Sequence, residues 1–279
     1  MKRRLVFFDI DGTLWDSHER IPQSTAEAIA GLLSHGHLPI ICSGRSKGHI
    51  VNPALLKLGF RGIVAACGGH VEYEGKMIYE QLLSKQLTKQ VIDASERCRV
   101  PIVLEGTAKQ WISTDGFLHD DFVERMYQNL GERAVPLSGY TEDMQVNKFA
   151  GDVIAASDYD GFRKELSEAF RFIEHVYFPK DGEPKPEDPY RLLGVFEAVP
   201  PHISKAYGIQ KLCEYLGEDP QDALALGDSP NDLEMLHYVG TGIAMGNGSE
   251  TVKNSADYVT GRVEEGGVYQ AMKHFGLLE

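Results

Sequence analysis

The decapeptide Leu5-Val6-Phe7-Phe8-Asp9-Ile10-Asp11-Gly12-Thr13-Leu14 is an apolar run that meets two carboxylates and then a glycine. An unbroken apolar run of this length, rich in β-branched and aromatic residues, is the signature of a strand buried on both faces, as in a parallel sheet. We read Leu5–Ile10 as the first strand. Outward from it the same grammar repeats. Ser24–Ser34 carries Ala26, Ile29, Ala30 and Leu33 on a helical stripe, His35-Gly36-His37 turns the chain, and Leu38–Cys42 and Ile63–Ala66 are further strands. Near the other end, Ile203–Leu216 is helical, Ala223–Leu226 a strand, Asp232–Tyr238 a helix, Gly242–Met245 a strand and Val268–His274 a closing helix. Alternation of strand and helix from both ends predicts an α/β fold whose core is a doubly wound, Rossmann-like parallel sheet.

The middle of the chain reads differently. Strands at Ile102–Leu104, Gln110–Ser113, Val146–Phe149 and Phe172–Phe178 interleave with helices near Gln86–Arg97, Asp120–Asn129 and Gly161–Phe170, and a proline-rich loop at Pro179–Pro189 follows. This pattern predicts an inserted α+β domain at 83–187, with residues 1–82 and 188–279 forming the core.

Bulk properties narrow the function. The 279 residues carry a net charge of −13, which disfavours nucleic acid and anionic membrane surfaces as partners. The basic start Met1-Lys2-Arg3-Arg4 is not read as a signal peptide, because Asp9 and Asp11 interrupt the apolar region that would follow. No apolar run approaches the ~20 residues of a membrane span. Cys42, Cys67, Cys98 and Cys213 are far apart, without a Cys-x-x-Cys pair, so neither a zinc knuckle nor a disulfide framework is expected and a cytoplasmic home is the simplest. The ten histidines show no metal-ligand spacing.

In an open parallel sheet, ligands bind beyond the carboxyl ends of the strands. Three strands deliver polar clusters there: Asp9 with Asp11, Ser43-Gly44-Arg45, and Gly227-Asp228-Ser229-Pro230-Asn231-Asp232. A buried carboxylate pair is costly unless compensated, and Asp228 adds a third carboxylate from another strand end. Converging hard oxygens call for Mg²⁺, an ion that commonly bridges to a substrate phosphate. Ser43 and Gly44 offer a hydroxyl and backbone N–H groups to a phosphate oxygen. Lys205 stands in the first turn of its helix, where the macrodipole does not favour a cation, so an anionic partner is expected. Asn231 and Asp232 open the next helix, and either could cap it.

Taken together these residues resemble the haloacid dehalogenase superfamily, and within it the Cof-like phosphatases with a large inserted cap. Asp9-Ile10-Asp11-Gly12-Thr13-Leu14 is similar to that family's first motif, Ser43-Gly44-Arg45 to the second, Lys205 to the third and Gly227–Asp232 to the fourth. Ala244-Met245-Gly246-Asn247 and Ala256–Thr260 resemble its C-terminal segment. One departure is visible. Cys67-Gly68-Gly69 stands where the family has an Asn-Gly-Ala turn.

The resemblance implies a phosphatase acting on a small phosphorylated metabolite, a sugar phosphate first, with pyridoxal or nucleotide phosphates as other candidates; a monomer or homodimer is expected. Asp9 would attack phosphorus, and Asp11 would protonate the leaving oxygen and later activate water. Mg²⁺ would be held by Asp9, the backbone carbonyl of Asp11 and Asp228, with Asp232 behind them. Ser43, Lys205 and Asn231 would bind phosphoryl oxygens, while the cap selects the substrate. Within the cap, Trp111, Tyr127, His119 and the 180–189 loop are candidates to line a pocket, but aromatic residues at such spacings usually belong to a core. A sugar phosphomutase, or a phosphate-binding relative without turnover, stays compatible with the same motifs.

Overall fold

A computed structural model of the chain describes residues 2–113, 127–174 and 188–279. They group into two compact units, one of Met1–Arg45, Asn52–Glu80 and Ile203–Glu279, the other of Ser46–Val51 and Gln81–His202.

The apolar start of the decapeptide forms β1 (Leu5–Phe8), every residue of which is buried and which ends at the first carboxylate, two residues short of the expected Ile10. After it come β2 (Leu38–Cys42), β3 (Gly62–Ala65), β4 (His70–Tyr73) and β5 (Lys76–Glu80). The second unit contributes β6 (Ile102–Glu105), β7 (Gln110–Ile112), β8 (Ala134–Pro136), β9 (Lys148–Ile154), β10 (Arg171–Glu174) and β11 (Leu192–Val199). The chain then returns to the first unit with β12 (Leu224–Gly227), β13 (Thr241–Ala244) and β14 (Tyr258–Val259).

Among the described residues the first unit holds one sheet in the order β14-β13-β12-β1-β2-β3-β4-β5. From β14 to β3 all neighbours are parallel, as the alternation of strand and helix predicts. An antiparallel hairpin, β4 and β5, extends the edge beyond β3. Successive side chains of a strand point to opposite faces, so each central strand must be covered twice. Leu5 and Phe7 of β1, Ile40 of β2 and Val64 of β3 pack with Ile209 and Leu212 of the helix Lys205–Leu216 and with Met235 and Leu236 of the helix Leu233–Tyr238. Val6 and Phe8 point the other way and are fully buried. The helices Gln23–Ser34 and Gly267–His274 pack on each other elsewhere in this unit.

In the second unit the order is β10-β11-β9-β6-β7-β8, antiparallel except between β7 and β8. Its core is aromatic: Phe149 meets Phe162, Phe170, Phe172 and Phe196 edge to face. Trp111, 3% exposed, belongs to that core, as its strand spacing suggested.

The boundary placed at 187/188 needs correction. β11 pairs with both β9 and β10, so residues 188–202 lie with the second unit, and the return to the first occurs at Ile203. The alternating Leu193, Val195, Glu197 and Phe196, Ala198 faces mark β11 as a strand, but which sheet it joins is set by its pairing with β9 and β10 and not by the proline-rich loop before it. Most of the helix expected at Asp120–Asn129, the end of the strand expected at Phe172–Phe178, His119 and residues 180–187 fall outside the described residues.

Candidate active site

Strand order reverses at β1, with β2 and β3 on one side and β12 to β14 on the other. That reversal opens a crevice beyond the strand ends. Phe8 is in register with Leu226 of β12 and with Ile41 of β2, and the Asp9 N–H donates to the Leu226 carbonyl at 3.0 Å. Asp9, Asp228 and Ser43 therefore leave three neighbouring strand ends together.

Lys205 reaches this point from the first turn of its helix, whose start is capped by Ser204 Oγ accepting from the Tyr207 N–H at 3.1 Å. The lysine is 2% exposed, and its ammonium donates to Asp9 Oδ1 at 2.6 Å and Asp232 Oδ1 at 2.5 Å. These are the anionic partners its position at a helix N-terminus called for. Asp232 Oδ2 accepts from the backbone N–H groups of Asp228 and Ser229, each at 3.0 Å, so both oxygens of Asp232 are engaged by the chain itself. This contact needs Gly227, where a Cβ would lie 2.4 Å from the Asp232 carboxyl carbon.

Asp228 completes the cluster. One oxygen from each of Asp9, Asp228 and Asp232 lies within 4.8 Å of the others. Gly12 packs directly on Asp228, at φ +74 and with a notional Cβ only 2.3 Å from Oδ2, which ties the first motif to the fourth. Asn247 steadies the same turn, donating to the Gly12 carbonyl at 2.8 Å while its Oδ1 accepts from the Val263 N–H at 2.9 Å.

Three carboxylates face one ammonium, leaving two uncompensated negative charges in a largely buried place. Burial, with Asp232 and Asp11 adding to it, lifts the Asp9 carboxyl well above the usual range despite Lys205. Burial and the Asp232 charge push Asp228 up to about 7. Burial alone would lower Lys205, but Asp232 and Asp9 outweigh it and hold the side chain as an ammonium. The proton stays on the lysine, and the rise at the aspartates comes first from burial and then from the neighbouring carboxylates. A divalent cation suits the uncompensated negative charge. Asp228 Oδ1 is buried without a hydrogen-bond partner among the described residues, an arrangement that a hard cation relieves and water-free protein does not. The donor set is all oxygen, as Mg²⁺ prefers.

The carboxylate of Asp11 lies apart from this cluster. Its Oδ1 accepts from Arg45 Nη2 at 2.8 Å and from Trp15 Nε1 at 2.9 Å, and its Oδ2 from Arg45 Nε at 2.8 Å. Ser43 is 1% exposed, its Oγ accepting from the Arg45 N–H at 3.1 Å, and Gly44 beside it is buried. Asn231 is half-buried, and its Oδ1 accepts from Ser229 Oγ at 2.6 Å.

The Cys67-Gly68-Gly69 departure backs the Ser43–Arg45 loop. Ala66 N–H donates to the Arg45 carbonyl at 2.8 Å and Cys67 N–H to the Ser43 carbonyl at 3.1 Å, with Ala66 and Cys67 both at positive φ. Trp15 and Asn247 were not singled out from the sequence. Trp15, four residues beyond Asp11, had no pattern to mark it, whereas Asn247 stood inside a segment already noted.

Known proteins resemble this chain over nearly its whole length. The family model for haloacid dehalogenase-like hydrolases matches residues 6–272. The candidate phosphatase YkrA of Bacillus subtilis is 34% identical, with all of both chains covered. A second Bacillus subtilis protein, the 5-amino-6-(5-phospho-D-ribitylamino)uracil phosphatase YitU, is 26% identical over 98% of each chain. Among solved structures, the subclass IIB sugar phosphatase BT4131 superposes with a TM-score of 0.76 at 23% identity, covering 98% of this chain and 99% of its own. The match of the family model over nearly the whole chain, and the full-length likeness to YkrA, make this protein a member of the haloacid dehalogenase-like hydrolase family, an enzyme of the phosphatase kind.

Proposed function

We propose that the protein is a Mg²⁺-dependent phosphatase that hydrolyses a small phosphorylated metabolite, a sugar phosphate by class, through an aspartyl-phosphate on Asp9. One observation carries this reading: Asp9, Asp228 and Asp232 gather round Lys205 at the β1 and β12 ends, with Asp228 Oδ1 buried and partnerless among the described residues. Such a cluster serves an anionic group held by a cation better than it serves structure, because burying three carboxylates costs stability unless a cation offsets them.

The groups to hold Mg²⁺ are the carboxylates of Asp9 and Asp228 and the backbone carbonyl of Asp11, while Asp232, its oxygens occupied, supports from behind. The chemistry the bound ion supplies is neutralisation of charge between the Asp9 carboxylate and the phosphoryl oxygens. Ser43, the Gly44 backbone, Lys205 and Asn231 orient the phosphoryl group, and Lys205 offsets charge as it builds. An Asp9 oxygen bonds to phosphorus as the ester P–O bond breaks, and the leaving oxygen takes its proton from Asp11. Water then attacks the aspartyl-phosphate, Asp11 takes the water proton, and the bond between phosphorus and Asp9 breaks.

The motif residues account for the phosphoryl group alone, so selection of the organic part is assigned to the inserted unit as a cap. The sugar-phosphate class is supported by the ribityl phosphate in the name of YitU. A cytoplasmic home accords with the wide spacing of the four cysteines.

p-Nitrophenyl phosphate with and without Mg²⁺ tests the reading. EDTA should abolish turnover and added Mg²⁺ restore it, and Asp9→Asn should lower kcat about a thousandfold or more. Ordinary activity in Asp9→Asn would overturn it. A panel of sugar phosphates, scored for released phosphate against isomerised sugar, separates hydrolysis from mutase action.

A further inference from the structure

Arg45 has no part in the chemistry above, yet its side chain is tied on every side. Its Nε and Nη2 fork both oxygens of Asp11 at 2.8 Å, and Nη2 also lies 3.3 Å from Glu19 Oε1. The guanidinium sits over the Trp15 ring, 5.1 Å from its centroid. Trp15 itself is 2% exposed and spends its only side-chain donor on Asp11 Oδ1. Behind the side chain, the Arg45 N–H is bonded to Ser43 Oγ, and the Arg45 carbonyl accepts from Ala66. The base of the fork is thus built into the loop that presents Ser43.

Guanidinium and indole N–H groups donate only. Asp11 accepts three hydrogen bonds from such donors, two on Oδ1 and one on Oδ2, a pattern that suits an ionised carboxylate, whose two oxygens both accept, better than a carboxylic acid. Of the two tasks given to Asp11, the arrangement suits proton acceptance. The other task requires Asp11 to come off the fork.

We propose that Arg45, steadied by Trp15 and Glu19, is the positioning residue of the second half-reaction, holding Asp11 as the base for the water that cleaves the aspartyl-phosphate. This rests on the phosphatase reading and deepens it. In that step the water oxygen bonds to phosphorus, one water proton passes to Asp11, and the electron pair of the P–O bond returns to Asp9. A rigid two-point fork is what a guanidinium supplies and an ammonium does not.

The test is a separation of half-reactions. In a two-step mechanism kcat/KM reports events up to departure of the alcohol, whereas kcat also feels hydrolysis of the phosphoenzyme. With p-nitrophenyl phosphate and saturating Mg²⁺, Arg45→Met should lower kcat about ten- to a hundredfold, the scale of a misplaced catalytic group. KM should fall in parallel, kcat/KM should stay within about threefold of the parent, and a rapid burst of about one nitrophenolate per enzyme should precede the slow steady state. Arg45→Lys should fall between. Trp15→Phe keeps the aromatic face under Arg45 but removes the indole donor, and should show the same pattern more weakly. This guards against a folding defect peculiar to the first variant. An equal loss of kcat and kcat/KM without a burst, or an unchanged kcat, would overturn the proposal while leaving the phosphatase reading intact. A parent protein without turnover on a panel of phosphate esters would overturn both.

Discussion

Gly12 shows how narrow the tolerances of the site are. It adopts φ +74, which L side chains rarely adopt, and it lies against the Asp228 carboxylate. A methyl group in Gly12→Ala would meet Asp228 Oδ2 at 2.3 Å, so the carboxylate must turn away. We expect Mg²⁺ affinity to fall about ten- to a hundredfold, as when a supporting group beside a metal ligand is removed. Calorimetric titration with Mg²⁺, beside a circular dichroism spectrum like that of the parent, is the check. Asp11 and Asp228 also divide by surroundings: one is more than half exposed and forked by a cation, the other half-buried with one buried oxygen left over. Residue type alone did not separate their roles.

Between β1 and the helix Gln23–Ser34, the turn after the first motif is closed by Asp16, which is 7% exposed. Its Oδ1 accepts from the N–H groups of His18 and Arg20 at 2.8 and 3.0 Å, and its Oδ2 from Arg20 Nε at 2.8 Å. Chiefly because of Arg20, the Asp16 carboxyl is lowered from 3.8 to about 2. A carboxylate depressed in the folded state contributes stability above its unfolded pKa and loses it as pH falls through the folded one. The contribution is therefore full above about pH 4 and fades towards pH 2. Asp16→Asn should be less stable than the parent at pH 7, and the difference should shrink between pH 4 and 2 in urea unfolding followed by fluorescence. A difference constant across that range would show that the turn draws its stability from elsewhere. The elements themselves were largely legible. β2 matches its predicted bounds residue for residue, and the helix before it differs by one, because apolar periodicity and turn residues act locally. The β4–β5 hairpin was not foreseen. Its strands are half-exposed at a sheet edge, and their mixed polarity, with Glu72, Lys76 and Glu80 among apolar residues, carries little periodic signal.

For the whole molecule, binding of an ion only to the folded state must raise stability by mass action. At a Mg²⁺ concentration about 100 times the dissociation constant the gain is about 2.7 kcal/mol. The parent should melt at a higher temperature in Mg²⁺ than in EDTA, and Asp228→Asn should lose most of that difference in a calorimetric scan. A shift of the same size in both would place the stabilising ion elsewhere. The division into two units could be anticipated from the change of pattern in the middle of the chain, but the second crossing could not, because membership of β11 depends on its partners β9 and β10.

Local order along the chain was enough to specify the alternation of strands and helices, the polar clusters at the strand ends and the chemistry those residue types can perform. Those properties follow from side-chain period and from the few residues flanking each strand. Pairing through space belongs to the folded molecule alone. Lys205 meets Asp9 across 196 residues of chain, Asp232 turns both its oxygens inward, and Asp11 faces Arg45 instead of the carboxylate cluster. Which oxygen faces which donor depends on how strands distant in sequence stack side by side, and no local pattern encodes that.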